Sequence, residues 1–301
     1  MTRTILASLF APLLLAGSST PTVVAKLGTG GSSPCGAAQL GRYLYVANYG
    51  SGTLARIDPK TNRVVRVIKV GLGPCGVVAG GGSLWVENFT GGTIAKVDSG
   101  RLRVVKRIRV GLKPWDVSYG FGSVWSSNFG NGTVSRIDAR TLRVTKTIYT
   151  GGSPACIRTG VGSVWVGSQG TDDIYRIDPA TNKVTPITIG KGGSVCVDPH
   201  DDGVWVSDES AGLVSRVDPA TNKVVATITV SGAPADGVRG PDGMEWIPSQ
   251  TPTGIYRIDP ATNKVVSIVK ATQHPFVVRN GFGDVWVDNF NGRGLWRIHV
   301  G

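Results

Sequence analysis

The sequence predicts an all-β chain folded as a seven-bladed β-propeller of four-stranded antiparallel blades, and three observations predict it. An aromatic residue inside a short apolar run recurs as Tyr45, Trp85, Trp125, Trp165, Trp205, Trp246 and Trp286, at spacings of 40, 40, 40, 40, 41 and 40 residues. An Arg-Ile-Asp-like element follows in register, its acid at Asp58, Asp98, Asp138, Asp178, Asp218 and Asp259, with Arg297-Ile298-His299 as the seventh copy. The octapeptide Arg-Ile-Asp-Pro-Ala-Thr-Asn-Lys stands at 176–183, returns unchanged at 257–264, and appears at 216–223 with Val217 in place of Ile. A period of about 40 residues is the length of a four-stranded unit and too long for a binding motif.

Residues 114–150 show one unit. Trp115 to Tyr119 is a short apolar segment, Gly120-Phe121-Gly122 a turn, and Ser123 to Asn128 a strand. Asn131-Gly132 is a hairpin signal, followed by β runs from Thr133 to Asp138 and from Leu142 to Tyr149. We letter the strands A to D from axis to rim. Asp-Pro-Ala-Thr-Asn-Lys is then the C–D turn: Pro sets φ, Asp accepts a backbone N–H, and Asn tolerates the left-handed conformation that ends the turn. The recurring Tyr and Trp read as fillers between neighbouring sheets, because every blade places them identically. The seventh unit reaches Gly301 after strand C, whereas Thr22 to Gly28 aligns with the end of a strand D. That segment is expected to pair with the last blade and remove two exposed sheet edges.

Residues 1–20 read as a secretory signal peptide, with Arg3 ahead of an apolar run from Ile5 to Ala16 and a small-residue stretch after it. The run is shorter than the about 20 residues a bilayer span needs, and Ser18 stands where a lipoprotein signal would place Cys. Residues 22–301 then form a single domain, secreted or periplasmic, without a transmembrane segment and expected to be monomeric. The chain carries a net charge of +12 with 43 Gly and 17% charged residues, which excludes a disordered polyelectrolyte. From Lys26 to Thr150 there are 18 Lys and Arg against 5 acids; from Gly151 to Gly301 there are 13 against 15. The excess gathers on strand D and its flanks, with Arg66, Arg103, Lys106, Arg107, Arg109 and Lys146 as the candidate contacts. A band of this kind suits an anionic cell-wall polymer or nucleic acid, and a merely solvated face is the competing reading.

Tyr45-Val46-Ala47-Asn48, the Gly-Thr-Val-Ser-Arg-Ile-Asp pattern, Pro-Ala-Thr-Asn-Lys-Val and Gly-Ser-Val-Trp-Val resemble the YVTN-type, YncE-like seven-bladed propellers, with streptogramin (virginiamycin B) lyases as a neighbouring family. The resemblance covers nearly all of residues 22–301 and rests on blade-building residues, so it implies the fold more than an activity. Some YncE-like proteins bind DNA, which the resemblance offers as one identity for a rim partner.

In a propeller the D–A and B–C connections share one face. The D–A loops bring Cys35, Cys75, Trp115, Asp116, Asp236, His274 and Phe276 to it. The B–C loops bring Asn48, Tyr49, Glu87, Asn88, Phe89, Asn128, Phe129, Gln169, Asp208, Glu209, Gln250, Asp288, Asn289 and Phe290. This mixture of acids, amides and aromatics is where an unidentified ligand is expected, with Trp115, Asp116, Asn88, Asn128, Asp208, Phe276 and Asn289 as the candidate contacts. Trp115 lies outside the aromatic register and replaces residues as small as Ala155.

Cys35 and Cys75 share one repeat position, and Cys156 and Cys196 the next. Sevenfold symmetry with inner strands roughly 7 Å from the axis puts equivalent Cα atoms roughly 6 Å apart, inside the disulfide window. Export permits oxidation. Disulfides Cys35–Cys75 and Cys156–Cys196 are therefore expected; small buried thiols and a metal site are the competing readings, the latter without a Cys-x-x-Cys or His pair in support.

The primary reading is a binding or scaffold protein that needs no cofactor and no metal. The alternative is a lyase-like or lactonase-like enzyme. The lyase resemblance implies a His and Glu constellation with magnesium, for which the candidates are His274, Glu87 and Asp236; a lactonase-like cage of magnesium or calcium would draw on Glu87, Asp116, Asp208, Asp236 and Asp288. His200 and His299 fall on the opposite face.

Overall fold

The computed structural model describes residues 20–190, 193–270 and 272–301, so the signal-peptide reading of the first residues lies outside the described part except at Thr20. The described strands form seven four-stranded sheets with every ladder antiparallel, a seven-bladed propeller. Blade 1 is typical, running in order through Pro34–Leu40, Tyr43–Asn48, Thr53–Asp58 and Arg63–Lys69. Blade 7 is built from both ends of the chain: Thr22–Gly28 lies against Gly294–His299, with Thr22 opposite His299 and Gly28 opposite Gly294. The ring closes as the repeat count predicts. Among the described residues no helix is long and apolar enough to cross a membrane.

The C–D turns fold as their sequence dictates. Asp58 Oδ1 accepts from the Lys60 N–H (2.9 Å), Asp178 Oδ1 from Ala180 (2.7 Å) and Asp259 Oδ1 from Ala261 (2.8 Å). The closing Asn takes a left-handed φ of 55° at Asn62, 61° at Asn182, 57° at Asn222 and 55° at Asn263. Blades 2 and 3 place Leu102 (φ 47°) and Leu142 (φ 59°) there, at a backbone cost of about 1–2 kcal/mol each. Both leucines pack into core clusters, Leu102 completely, which offsets that cost.

Tyr45 and the six repeat tryptophans are no more than 1% exposed. Each ring wedges against the B strand of the following blade: Tyr45 against Leu84 and Val86, Trp125 against Val164 and Val166, and Trp286 against Leu44 and Val46 of blade 1. A buried indole N–H needs an acceptor, and Gly80, Gly120, Gly160 and Gly281 supply carbonyls at 2.9–3.1 Å.

A second inter-blade joint was not anticipated from the sequence. The Arg of the Arg-Ile-Asp element stacks on its own Trp and reaches into the C–D turn of the next blade. Arg136 donates to Pro179 O (2.7 Å) and Asn182 Oδ1 (2.9 Å), and Arg176 to Pro219 O (2.6 Å) and Asn222 Oδ1 (2.8 Å). Arg216 treats Pro260 and Asn263 in the same way, and Arg297 closes the circle on Pro59 and Asn62. The repeated octapeptide is thus both halves of a clamp, the Arg serving one interface and the Pro and Asn the other. Arg257 has no such turn ahead of it, since blade 7 takes its outer strand from the N-terminus, and it pairs with Asp242 instead.

Both expected disulfides are present, Cys35–Cys75 and Cys156–Cys196, with Cα atoms 4.6 and 4.7 Å apart. The separation is shorter than the sevenfold estimate of roughly 6 Å and still lies inside the disulfide window.

Candidate functional site

The face formed by the D–A and B–C loops holds a cavity of about 370 Å³ lined by Cys35, Tyr49, Cys75, Phe89, Trp115, Glu209, Gln250, Phe276, Phe290 and Asn291. Its wall is a continuous arc of aromatic rings. From Phe276 to Phe290, Tyr49, Phe89 and Trp115, successive centroids are 5.3, 5.8, 6.4 and 5.7 Å apart, and Phe129, outside the lining, backs Trp115 at 5.0 Å, all within the range of favourable tilted or edge contacts. One repeat position, four residues after the core aromatic, creates most of this arc. It reads Tyr49, Phe89, Phe129, Gln169, Glu209, Gln250 and Phe290 in blades 1 to 7, aromatic in blades 7, 1, 2 and 3 and polar in blades 4 to 6. Sevenfold geometry puts blade 5, and hence Glu209, opposite the middle of the arc. Burial raises the pKa of the half-buried Glu209 carboxyl.

Deeper toward the axis a small cavity shares Cys75, Trp115 and Phe276 with the pocket and is also lined by Asp116, Asp236 and Arg279. An ionic plug occupies this level. Arg158 Nη2 donates to both oxygens of Asp236 at 2.8 Å, Arg158 Nη1 pairs with Asp116, and Arg279 pairs with Asp236. Burial opposes the Asp236 carboxylate, but Arg158 and Arg279 outweigh it and hold its pKa below the ordinary range. The Arg158 guanidinium is likewise penalised by burial, and Asp116 and Asp236 more than reverse the penalty. Arg158 and Arg279 stand opposite Trp165 and Trp286 on the innermost strands, where blades 1 and 2 carry Ala38 and Val78. A charge at that inward register was the available sequence signal, and the sequence reading overlooked it.

The candidate contacts divide between these places. Trp115 and Phe276 line the pocket, and Asp116 belongs to the plug. Asn88 and Asn128 lie elsewhere: both are fully buried, and their amides brace the blade, Asn88 Nδ2 on Thr93 Oγ1 (3.2 Å) and Asn128 Nδ2 on Thr133 Oγ1 (3.0 Å) and Ser135 Oγ (2.9 Å). Asp208 is buried and caps its own loop through the Ala211 N–H (3.0 Å). The backbone N–H of Asn289 donates to Gly294 O (3.1 Å).

His274, Glu87 and Asp236 do not form a group whose ligand atoms lie within 4.8 Å of one another. His274 is exposed, Glu87 is wholly buried with Oε2 accepting from the Gly76 N–H (3.0 Å), and Asp236 is committed to two arginines. Burial raises the Glu87 pKa well above the ordinary glutamate range. Asp288, at the equivalent position of blade 7, accepts from Phe276 (3.0 Å) and Val277 (2.9 Å), and burial pushes it up to about 7. Of the five acids of the supposed cage, Asp116 and Asp236 share Arg158, while Glu87 and Asp288 are held by backbone N–H groups and Asp208 caps its own loop. Toward the opposite face, His200 Nε2 lies 2.7 Å from Asp198 Oδ2 and 3.7 Å from Glu245 Oε1. Arg239 Nε takes that same Glu245 oxygen, and burial with the nearby Asp198 pushes Glu245 up to about 8. His299 pairs with Asp284 at 2.7 Å.

On the rim, Arg66, Arg103, Lys106, Arg107, Arg109 and Lys146 are all exposed, and none forms an ion pair with a carboxylate among the described residues. Arg66 lies directly opposite Arg56, Lys106 opposite Lys96, and Lys146 opposite Arg136. The same position in blades 4 to 6 pairs Arg176 with Thr185, Arg216 with Ala226 and Arg257 with Ser267.

No family model and no curated protein matches the chain in sequence. Solved structures match it closely in shape. Virginiamycin B lyase from Staphylococcus aureus superposes with a TM-score of 0.81 at 12% identity, covering 93% of this chain and 99% of the other. Hydrazine synthase from Kuenenia stuttgartiensis does so with a TM-score of 0.79 at 16% identity, covering 91% and 98%. The Pan2 WD40 domain of Neurospora crassa gives 0.76 at 9% identity, covering 93% and 95%. At such identities the likeness concerns architecture alone, and it identifies the chain as a seven-bladed β-propeller sharing the fold of virginiamycin B lyase.

Proposed function

We propose that the protein is an exported, non-enzymatic binding propeller that holds a small molecule with an apolar body in the aromatic pocket. The observation that carries this reading is the unbroken arc of five rings, Phe276, Phe290, Tyr49, Phe89 and Trp115, lining a cavity of about 370 Å³, a size suited to a small ligand. These rings are absent from the equivalent position of blades 4 to 6, so blade construction does not require them. A fragment screen by thermal shift tests the reading: compounds with aromatic or compact aliphatic bodies should raise the melting temperature of the native protein and not of Trp115→Ala. Equal shifts in both proteins would refute it.

The lyase-like reading draws on the structural likeness to virginiamycin B lyase. Against it, His274 and Glu87 belong to no convergent group of potential metal ligands among the described residues. Metal analysis of the purified protein bears on this choice, since a stoichiometric magnesium or calcium ion would favour the enzyme. The basic rim supports a second binding reading, an anionic polymer along blades 1 to 3. Its specific support is the three like-charge pairs facing across adjacent strands, an arrangement that disfavours folding and that an anion would relieve.

A further inference from the structure

The aromatic pocket also carries information about the charge of its occupant. We infer that the ligand is an organic cation, an alkyl- or aryl-ammonium compound, whose charged head lies between Glu209 and the ring arc. This rests on the pocket reading above and refines it. Glu209 is the one charged side chain among the described residues lining the cavity, and the lining includes no Lys, Arg or His. That is unexpected in a chain of net charge +12. Glu209 is half-buried, yet it accepts no hydrogen bond and pairs with no cation among the described residues. Deeper toward the axis Arg158 is paired with Asp116 and Asp236, and the carboxyls without a cation, Glu87 and Asp288, are held by backbone N–H groups; Glu209 has neither kind of partner among the described residues. A carboxylate left unpaired at the mouth of a cavity is costly unless a ligand completes it.

The facing wall has the matching chemistry. The faces of Trp, Tyr and Phe rings attract a cation, and a group of them excludes the water that would otherwise solvate it. Glu209 projects from the blade opposite the middle of the arc, so a bound ammonium would meet the carboxylate on one side and ring faces on the other. An anion would meet the carboxylate without compensation. A neutral ligand would use the rings and leave Glu209 desolvated.

The experiment is a calorimetric titration of the native protein with three probes of similar size: benzyltrimethylammonium, N,N-dimethylbenzamide and phenylmethanesulfonate. The cation is expected to bind about tenfold more tightly than the amide, with the sulfonate weakest. Glu209→Gln should remove the advantage of the cation, so that it binds no more tightly than the amide, while Trp115→Ala should weaken both; melting curves confirm that each variant folds. If the amide binds native protein as tightly as the cation, or if Glu209→Gln leaves the cation unaffected, the inference is overturned while the aromatic pocket stands. If no probe binds native protein saturably, the pocket reading falls and takes the inference with it.

Discussion

Arg297 Nη1 lies 3.1 Å from Asn62 Oδ1, joining residues 235 positions apart in the chain. The same nitrogen bonds Pro59 O, Arg297 Nε bonds Asp284, and the guanidinium lies 5.1 Å from the centroid of Trp286. Removing it takes a donor from the Pro59 carbonyl and Asn62 Oδ1 and leaves Asp284 with His299. Arg297→Ala is expected to cost about 2–3 kcal/mol in urea unfolding, whereas Arg103→Ala, on the exposed rim, should stay within about 0.5 kcal/mol.

Truncation tests the closure from the other end. A protein beginning at Gly30 loses the strand Thr22–Gly28 and exposes the edge at Gly294–His299. It should melt well below the full ring and aggregate on heating. An unchanged melting temperature would mean that the pairing contributes nothing to stability.

Non-reducing peptide mapping should return the pairs Cys35–Cys75 and Cys156–Cys196, each enclosing a separation of 40 residues. Replacing either pair with serine should lower stability by up to about 4 kcal/mol in the chain-entropy picture. Recovery of four free thiols from freshly purified protein would contradict the structure.

Glu87 gives a pH test with a defined sign. Burial raises its folded pKa, so the folded chain keeps a proton that the unfolded chain has already lost. From the ordinary glutamate range upward, stability therefore falls as pH rises. Glu87→Gln should resemble the native protein near about pH 5 and exceed it in urea midpoint near about pH 8.5. Asp288, pushed up to about 7, contributes in the same direction. A native stability that rises steadily over this interval, unaltered by Glu87→Gln, would contradict the burial of an unpaired carboxyl.

The rim can be examined separately from the pocket. Native protein should be retained on heparin at low salt and released as salt rises, and replacing Arg103, Lys106 and Arg107 with Gln should shorten retention and reduce its salt dependence. Retention indifferent to salt would count against the polyanion reading.

The residues that repeat were the ones the sequence made readable. Tyr45 and the tryptophans define blade number because each solves the same packing problem, and Asp-Pro-Ala-Thr-Asn reveals its turn because only a few residue types satisfy that backbone. Blade closure followed from counting, since strand D of blade 7 had to come from elsewhere. What escaped was chemistry between repeats. The clamp of Arg136 on Asn182 joins two copies of a motif that reads as one local turn. Arg158 and Asp236 lie 78 residues apart and meet across the ring, a relation that local pattern does not encode. Asn88 and Asn128 were placed on the correct face, but strand pairing turned their amides toward Thr93 and Thr133 and away from the opening. The division between Phe89 and Glu209 was legible as a difference between copies, although similarity between copies dominated the reading.

The pairing of Thr22–Gly28 with Gly294–His299 also sets the order of events during synthesis. This strand leaves the ribosome ahead of every blade, and its partner Gly294–His299 follows only after the six complete blades. Six blades can accumulate, but the circle cannot shut until Gly294–His299 has emerged. A chain interrupted before that point would therefore keep Thr22–Gly28 unpaired and blade 7 unfinished, and it would be a ready target for chaperones and proteases.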